Sequence, residues 1–339
     1  MRRFSAGIAG LVALIVAISL ASPAFAKVVD EKMRSKVLAK KGKPSHSKKL
    51  TLGATGSANS SDNVVGAANG TTMQIGILLA GEHKYVDGKH AVETAGKIQH
   101  ARTRTPLLDA FVKSADVFEL QSTWMYAMND SPPFGPFARV KAASQVFNSV
   151  DIRATKVTVK KTAIDGTVSS EDVGAEIATP TTNAFEPLIL TETAGLFANP
   201  ISEKVFTLKA KLGAGAQQII ARDGYTVTGY DKDSKTVSLK QIETSGQAGG
   251  EFELDAAGQL SQTVAWAAKA AWFMPLYSSA TQQLEGMDAL QTDIAASISI
   301  KLSDWAKLDY VANIKRIPLV VEGWQVQHGL MLTAGFNLL

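Results

Sequence analysis

Cysteine is absent from the 339 residues. That excludes disulfides and thiolate metal sites, and it excludes a lipoprotein anchor on an N-terminal cysteine. Charge is sparse: Asp, Glu, Lys and Arg make up 19% of the chain, where roughly a quarter is usual. Long apolar runs are missing as well. Past residue 26 nothing approaches the ~18 consecutive apolar residues of a membrane-crossing helix. The sequence contains no G-x-S-x-G, no H-E-x-x-H and no P-loop, so the common hydrolase, metalloprotease and nucleotide-binding signatures are excluded. Histidine is limited to five positions, His46, His83, His90, His100 and His328.

What is present begins at the N-terminus. Arg2 and Arg3 precede the apolar run GIAGLVALIVAISLA, and Ala24-Phe25-Ala26 forms a small-residue cleavage motif before Lys27. This pattern predicts a Sec-type secretory signal peptide over 1–26, cut between Ala26 and Lys27. The next segment is strongly basic. Lys27 to Lys49 holds nine basic residues against two acids, and the rest of the exported chain holds 24 against 29. The run KVLAKKGKPSHSKKL has no apolar period, so residues 27–47 are expected to be a flexible basic tether in the periplasm. Such a tether is either a solvated linker or an electrostatic contact for an anionic cell-wall polymer, lipid phosphate or acidic partner. Nucleic acid is not an expected partner of an exported chain.

From residue 48 the chain alternates with period two. TTMQIGILLAGEHKYV puts Met73, Ile75, Ile77 and Leu79 on one face and Gln74, Gly76, Glu82 and Lys84 on the other. VFELQSTWMYAM, TVAWAAKAAWFM, TDIAASISIKL and the final WQVQHGLMLTAGFNLL follow the same rule. The segments run to ten residues or more, longer than the ~5–6 residues usual in soluble proteins and close to the ~9–11 needed to cross a bilayer at barrel tilt. Links alternate between short turns, such as VDGK at 86–89 and NPIS at 199–202, and longer stretches at 62–70, 105–115, about 150–184, 223–236 and 277–288. The rhythm predicts an all-β fold: an antiparallel up-and-down transmembrane β-barrel over 48–339, of about 12 strands, with both termini periplasmic. Among the expected strands are segments at 135–157 and 237–255, and the stretch 135–160 reads either as one long strand or as a hairpin around Asn148–Asp151. The soluble alternative is a β-sandwich or lipocalin-like barrel, which would need one very large core for so many long strands.

These features together resemble the outer-membrane β-barrels of Gram-negative bacteria. The runs RTRTPLLDAFVKSADVFEL, GPFARV and FEPLILTETAGLFANP are similar, more narrowly, to an uncharacterised barrel family known as a domain of unknown function, which has no activity to carry over. The broader resemblance implies an outer-membrane location, contact with outer-membrane lipid, and a last strand read by the barrel-assembly machinery. Leu330, Leu332, Phe336 and Leu338 match that terminal alternation, although the aromatic is not the last residue.

The charged residues of the polar face are the candidate functional set. Glu82, Lys84, Glu93, Lys97, Glu119, Arg139, Lys141, Lys209, Lys211, Lys269, Asp293, Lys301, Asp309 and Lys315 fall on the expected lumen face, as do Glu251 and Glu253. Opposed charges that pair would fill and rigidify the lumen; charges segregated into basic and acidic walls would screen solutes. The first expectation is a narrow pore for small solutes or ions. The alternative is a non-conducting structural or adhesive barrel whose tether or loops bind cell-wall polymer or a protein partner. A lipid hydrolase is a distant third, since no catalytic residues can be assembled: Ser45-His46-Ser47 falls in the tether, and His328 has no identifiable nucleophile beside it. His83 and His90 flank a turn, but two imidazoles are too few to indicate a metal. No cofactor is expected, and oligomeric state is not legible. The segment 158–184, rich in Thr, Ser and Asp, is the candidate plug or receptor loop.

Overall fold

The computed structural model describes residues 44–61, 70–203, 205–281, 284–303, 305–319 and 321–337. The expected signal peptide with Ala26 and Lys27, most of the tether, and Leu338 lie outside the described residues. The strands are β1 (Ser45–Ser61), β2 (Gly70–Asp87), β3 (His90–Thr105), β4 (Leu108–Tyr126), β5 (Phe134–Ser144), β6 (Ser149–Asp151), β7 (Val157–Thr162), β8 (Val168–Val173), β9 (Thr179–Thr182), β10 (Leu188–Ser202), β11 (Phe206–Ile220), β12 (Tyr225–Asp231), β13 (Thr236–Gln241), β14 (Ser245–Gln259), β15 (Val264–Ser278), β16 (Gln291–Lys301), β17 (Ala306–Ile317) and β18 (Val321–Asn337).

Twelve of these close into one barrel in the order β1-β2-β3-β4-β5-β10-β11-β14-β15-β16-β17-β18. Closure is antiparallel, with Thr51 opposite Asn337 and Gly56 opposite Leu332. Over this paired stretch the first and last strands cover each other's edges. Every barrel strand has 11 to 19 residues, as the long alternating segments require.

The alternation sorts the side chains as expected. Leu52, Ile75, Ile77, Leu120, Val140, Leu196, Leu212, Phe252, Ile298 and Tyr310 are exposed on the outer wall. Their polar neighbours in sequence line the lumen. An outward apolar band over an inward polar face is the arrangement a bilayer demands, because lipid cannot satisfy polar groups. At one point the wall needs glycine: Gly195 on β10 faces Gly213 on β11, and a Cβ on Gly195 would lie 2.1 Å from the Leu212 carbonyl oxygen.

The two rims differ. Five short connections and both described chain ends, Ser45 and Asn337, share one rim, as an even strand count dictates. Aromatic groups cluster there: His90 packs 4.9 Å from Tyr126, and Trp266 stacks 5.9 Å from Phe206. The opposite rim carries two insertions, 145–187 between β5 and β10 and 221–244 between β11 and β14. Together they build a cap. Its four-stranded sheet runs β12-β13-β7-β8, and the pairing of β7 with β13 is parallel. Val157, Val159, Val173, Val237 and Leu239 form the cap's own core, with Tyr225, Val227 and Tyr230 against it.

Several expected boundaries are corrected. The link at 105–115 is a two-residue turn followed by strand, because β4 starts at Leu108 and absorbs the mismatch in bulges opposite Ala101–Thr105. The strand expected over 135–157 stops at Ser144, where Asp116 captures the backbone N–H groups of Val146 (3.2 Å) and Phe147 (2.8 Å). The strand expected over 237–255 divides: β13 joins the cap and β14 joins the barrel, although the alternation reads through both. The segment 158–184 contributes β7, β8 and β9, so it is folded sheet. Ser45-His46-Ser47 lies within β1, paired to β2 with His46 opposite Tyr85, rather than in a free tether.

Candidate functional site: a charge layer across the lumen

The inner face of β14 presents Glu251, Glu253 and Asp255 at every second position. Arg139, on the inner face of β5, reaches past β10 and β11 to meet them. Its Nη1 donates to Glu253 at 2.7 Å and its Nη2 donates to Glu251. Arg139 is 5% exposed and Glu253 2%, so a planar cation bridges three strand spacings in a site almost closed to solvent.

Glu253 is the hub. Besides Arg139 it accepts Lys211 Nζ at 2.5 Å and Lys269 Nζ at 2.7 Å. Lys211 also reaches Asp255 at 3.2 Å, and the Thr193 hydroxyl donates to Glu251 at 2.5 Å. Three carboxylates on β14 are thus faced by three cations from β5, β11 and β15. Stripping both charges of a buried pair from water is expensive, and such a layer is tolerated only when nearly every group is paired.

The pairing continues around the wall. Glu93 on β3 meets Lys84 on β2 at 3.3 Å and Lys209 on β11 at 3.6 Å. The second contact joins strands four apart in the barrel order. Lys141 meets Glu119 at 3.5 Å, with Lys97 and Lys315 within electrostatic reach of both. Lys307 and the Ser299 hydroxyl hold Asp309 at 2.9 and 2.5 Å. Glu82 is half-buried on β2, Asp293 lines the central cavity, and Lys301 is exposed at the turn end of β16. The structure therefore brings most of the charges expected in the lumen into one mixed-sign layer. They do not divide into basic and acidic walls.

A cavity of about 110 Å³ remains inside this layer, lined among others by Gln121, Arg139, Lys141, Glu251, Lys269, Asp293 and Lys315. Apolar clusters flank it along the axis. Val86, Ala91, Met125, Ala127, Phe137 and Phe197 pack together toward the turn rim. Ile189, Ile219, Ala221, Ile242 and Ile317 pack at the cap rim, with Leu319 against them. The second cluster joins lumen residues of β10, β11 and β17 to Ile242 from the second insertion, so the cap is fastened over the lumen mouth.

Three groups that sequence reasoning passed over hold this arrangement. Gln291 donates to Gln217 at 3.0 Å and to Gln247 at 2.6 Å. Their inward phase was legible, but uncharged amides carried no flag. Asp116, fully buried, fastens the start of the first insertion and accepts Lys113 at 3.0 Å. Glu186 ties the two insertions together. Its Oε1 accepts the N–H groups of Arg222 (2.6 Å) and Gly224 (2.8 Å), and its Oε2 accepts the N–H and side-chain amide of Asn183, both at 3.1 Å. Burial pushes the Glu186 carboxyl upward, but the N–H groups of Arg222, Asn183 and Gly224 outweigh it and hold the acid below its ordinary value.

The histidines separate. His46 meets His83, Nδ1 to Nε2 at 3.3 Å. His90, across the turn from His83, packs on Trp124 and Tyr126. His100 packs against Phe147, with ring centroids 4.6 Å apart. His328 lies opposite Ala312 in the β17–β18 register. No cluster of three or more His, Asp or Glu suited to a metal ion occurs among the described residues. In the terminal strand, Leu330 lies opposite Tyr310 and Phe336 opposite Leu52, while Leu332 is exposed.

Solved structures of similar architecture are outer-membrane β-barrels. The translocator domain of the autotransporter NalP from Neisseria meningitidis aligns over 90% of this chain and 92% of its own, at 9% identity and a TM-score of 0.38. An outer membrane channel from Pseudomonas putida F1 aligns over 86% of this chain and 94% of its own, at 10% identity and a TM-score of 0.38. The outer membrane channel DcaP of Acinetobacter baumannii aligns over 89% and 100%, at 6% identity and a TM-score of 0.29. No protein-family model and no curated protein sequence matches the chain.

Proposed function

We propose that this protein is an outer-membrane β-barrel with a closed lumen, a rigid stem that holds a folded cap at one face of the membrane. One observation carries the reading: Arg139 on β5 bridges to Glu251 and Glu253 on β14 across the lumen interior, between two buried apolar clusters. Paired charges rigidify, and apolar constrictions exclude water and ions. The exposed apolar belt supports insertion in a bilayer. The shared rim of short turns and chain ends supports a periplasmic placement of that rim. On this reading the cap is the extracellular contact surface, and the basic segment that begins at Lys27 is the contact for cell-wall polymer.

The narrow pore is the second reading, favoured by the charged cavity at the centre of the lumen. Planar-bilayer recording of purified protein that migrates as a heat-modifiable folded band separates the two. The closed stem is expected to give no steady conductance. Steady, charge-selective steps from the folded sample would sink it in favour of the pore.

A further inference from the structure

The two edges of the four-stranded cap sheet differ. On one side β12 is interrupted by a bulge between Val227 and Gly229, and it lies against β9 and β18. On the other side β8 is open. Val168 to Asp172 are all exposed, and β7 is the only strand paired with them among the described residues. The hydrogen-bond phase of this edge follows from its neighbours. The N–H of Ala163 donates to the Thr167 carbonyl at 2.9 Å, and the N–H of Thr158 turns the other way, to the Lys235 carbonyl just before β13, at 3.0 Å. The β7–β8 register runs from Thr162 opposite Val168 to Val157 opposite Val173 without a shift. Bonded and non-bonded positions alternate along an antiparallel pair. Ser169, Glu171 and Val173 therefore spend their main-chain groups on β7. Val168, Ser170 and Asp172 point theirs away from the sheet.

Sheet edges are commonly shielded by proline, by bulges or by charge. β8 has neither proline nor bulge. Of its two acids, Asp172 is already held by Lys156 at 2.8 Å and by the Thr158 hydroxyl at 2.9 Å. The outward phase restricts how a strand can be added, because outward residues must meet outward residues. A second, antiparallel β8 satisfies this when the pair is centred on Ser170. Ser170 then faces Ser170 of the second copy, Val168 faces Asp172, and Ser169 faces Glu171, so that a hydroxyl donates to each Glu171 carboxylate. No two carboxylates are opposed. A slip of two residues in one direction sets Glu171 against Glu171, which repels. The same slip in the other direction sets Asp172 against Gly166, which lies in the turn. We propose that β8 is a homotypic docking edge, by which two copies of this chain join their cap sheets about a two-fold axis at Ser170, with about six main-chain hydrogen bonds, two at each of three pairs. This names a partner for the cap and rests on the cap's being the exposed contact surface proposed above.

The chain has no cysteine, so introduced thiols report without background. Full-length Ser169→Cys and Glu171→Cys variants are folded separately in detergent, mixed and oxidised. In the proposed register, positions 169 and 171 of the two copies form a non-bonded pair with Cα atoms about 4.5 Å apart, within the span a disulfide accepts. The mixture is expected to give a covalent dimer, and either variant alone to lack it. Adding Ser170→Pro to both chains removes an N–H that β7 does not use, so the folded band should remain while the covalent dimer is lost. If that variant fails to fold, charge reversal read by sedimentation decides. Ser169→Glu sets carboxylates against each other and should leave monomer, and adding Glu171→Lys to the same chain should restore the dimer. Equal cross-linking by either cysteine variant alone, a dimer that survives both Ser170→Pro and Ser169→Glu, or a wild-type chain that stays monomeric as its concentration rises would overturn the proposal. Failure of the cap reading looks different: thiols at 169 and 171 would then not react with a water-soluble maleimide, whereas thiols that label but do not link would sink the dimer alone.

Discussion

Replacing Arg139 by alanine removes a cation that bridges β5 to β14. Glu253 keeps Lys211 and Lys269, at 2.5 and 2.7 Å. Glu251 keeps the Thr193 hydroxyl but loses its guanidinium, and it is 8% exposed. Breaking a buried ion pair on one side costs about 3–5 kcal/mol, because the partner stays charged without compensation. The retained partners of Glu253 place this case near the lower end, about 3 kcal/mol. Adding Glu251→Gln to the same chain should recover part of the loss, about 1–2 kcal/mol, by removing the stranded charge. Arg139→Lys should behave more like the alanine variant than like wild type, since an ammonium lacks the planar fork whose separate N–H groups reach Glu251 and Glu253. The assay is guanidinium-induced unfolding of the detergent-folded barrel, followed by tryptophan fluorescence and by loss of the folded gel band. Identical midpoints for wild type and Arg139→Ala would refute the reasoning, because they would mean that water reaches these groups and that the layer does not close the lumen.

Two more outcomes follow from the cap. Glu186→Gln loses an anion that receives four N–H donations and should weaken the joint between the insertions by about 2 kcal/mol, read as faster amide exchange in β12 and β13 with the barrel strands unchanged. Because the folded acid titrates below its ordinary value near 4.5, its stabilisation is complete above that value and is lost as pH falls through the lower folded one; cap exchange should therefore accelerate in that acidic window, and a pH-independent rate would contradict it. Ile219→Ala empties a side chain that is 1% exposed in the cap-rim cluster and should cost about 2–4 kcal/mol locally; with a cysteine placed at Ala271, which lines the cavity, thiol labelling of this otherwise cysteine-free chain should quicken, and unchanged labelling would mean that the cluster is not a seal.

The barrel was legible because its rule is local. Period-two alternation places Lys209, Lys211 and Glu253 inward whatever the register, and turns such as VDGK mark where strands reverse. Register itself was not legible, and register decides that Glu253 meets three cations and not another carboxylate. The cap escaped for a related reason. The six residues of β13 alternate as a barrel strand does, and only the parallel partner β7, about 80 residues earlier in the chain, reveals that they belong elsewhere. Glu186 sits in irregular backbone before Pro187, where no period exists to assign its side chain a direction. Asp116 aligned with the outward phase of β4, yet its true role depends on Val146 and Phe147, which bend back across the strand end.

The parallel pairing of β7 with β13 has a temporal side. Parallel partners need long connections, and contacts distant in sequence form late. Between β7 and β13 the chain lays down β10 and β11, both part of the barrel wall. The β7–β8 hairpin must therefore wait, with Val157 and Val159 uncovered, until that stretch of wall exists and Val237 and Leu239 arrive to meet them. Completion of the cap thus reports that the wall beneath it has been built. A chain stalled after β10 would display a short hairpin whose apolar face is still uncovered.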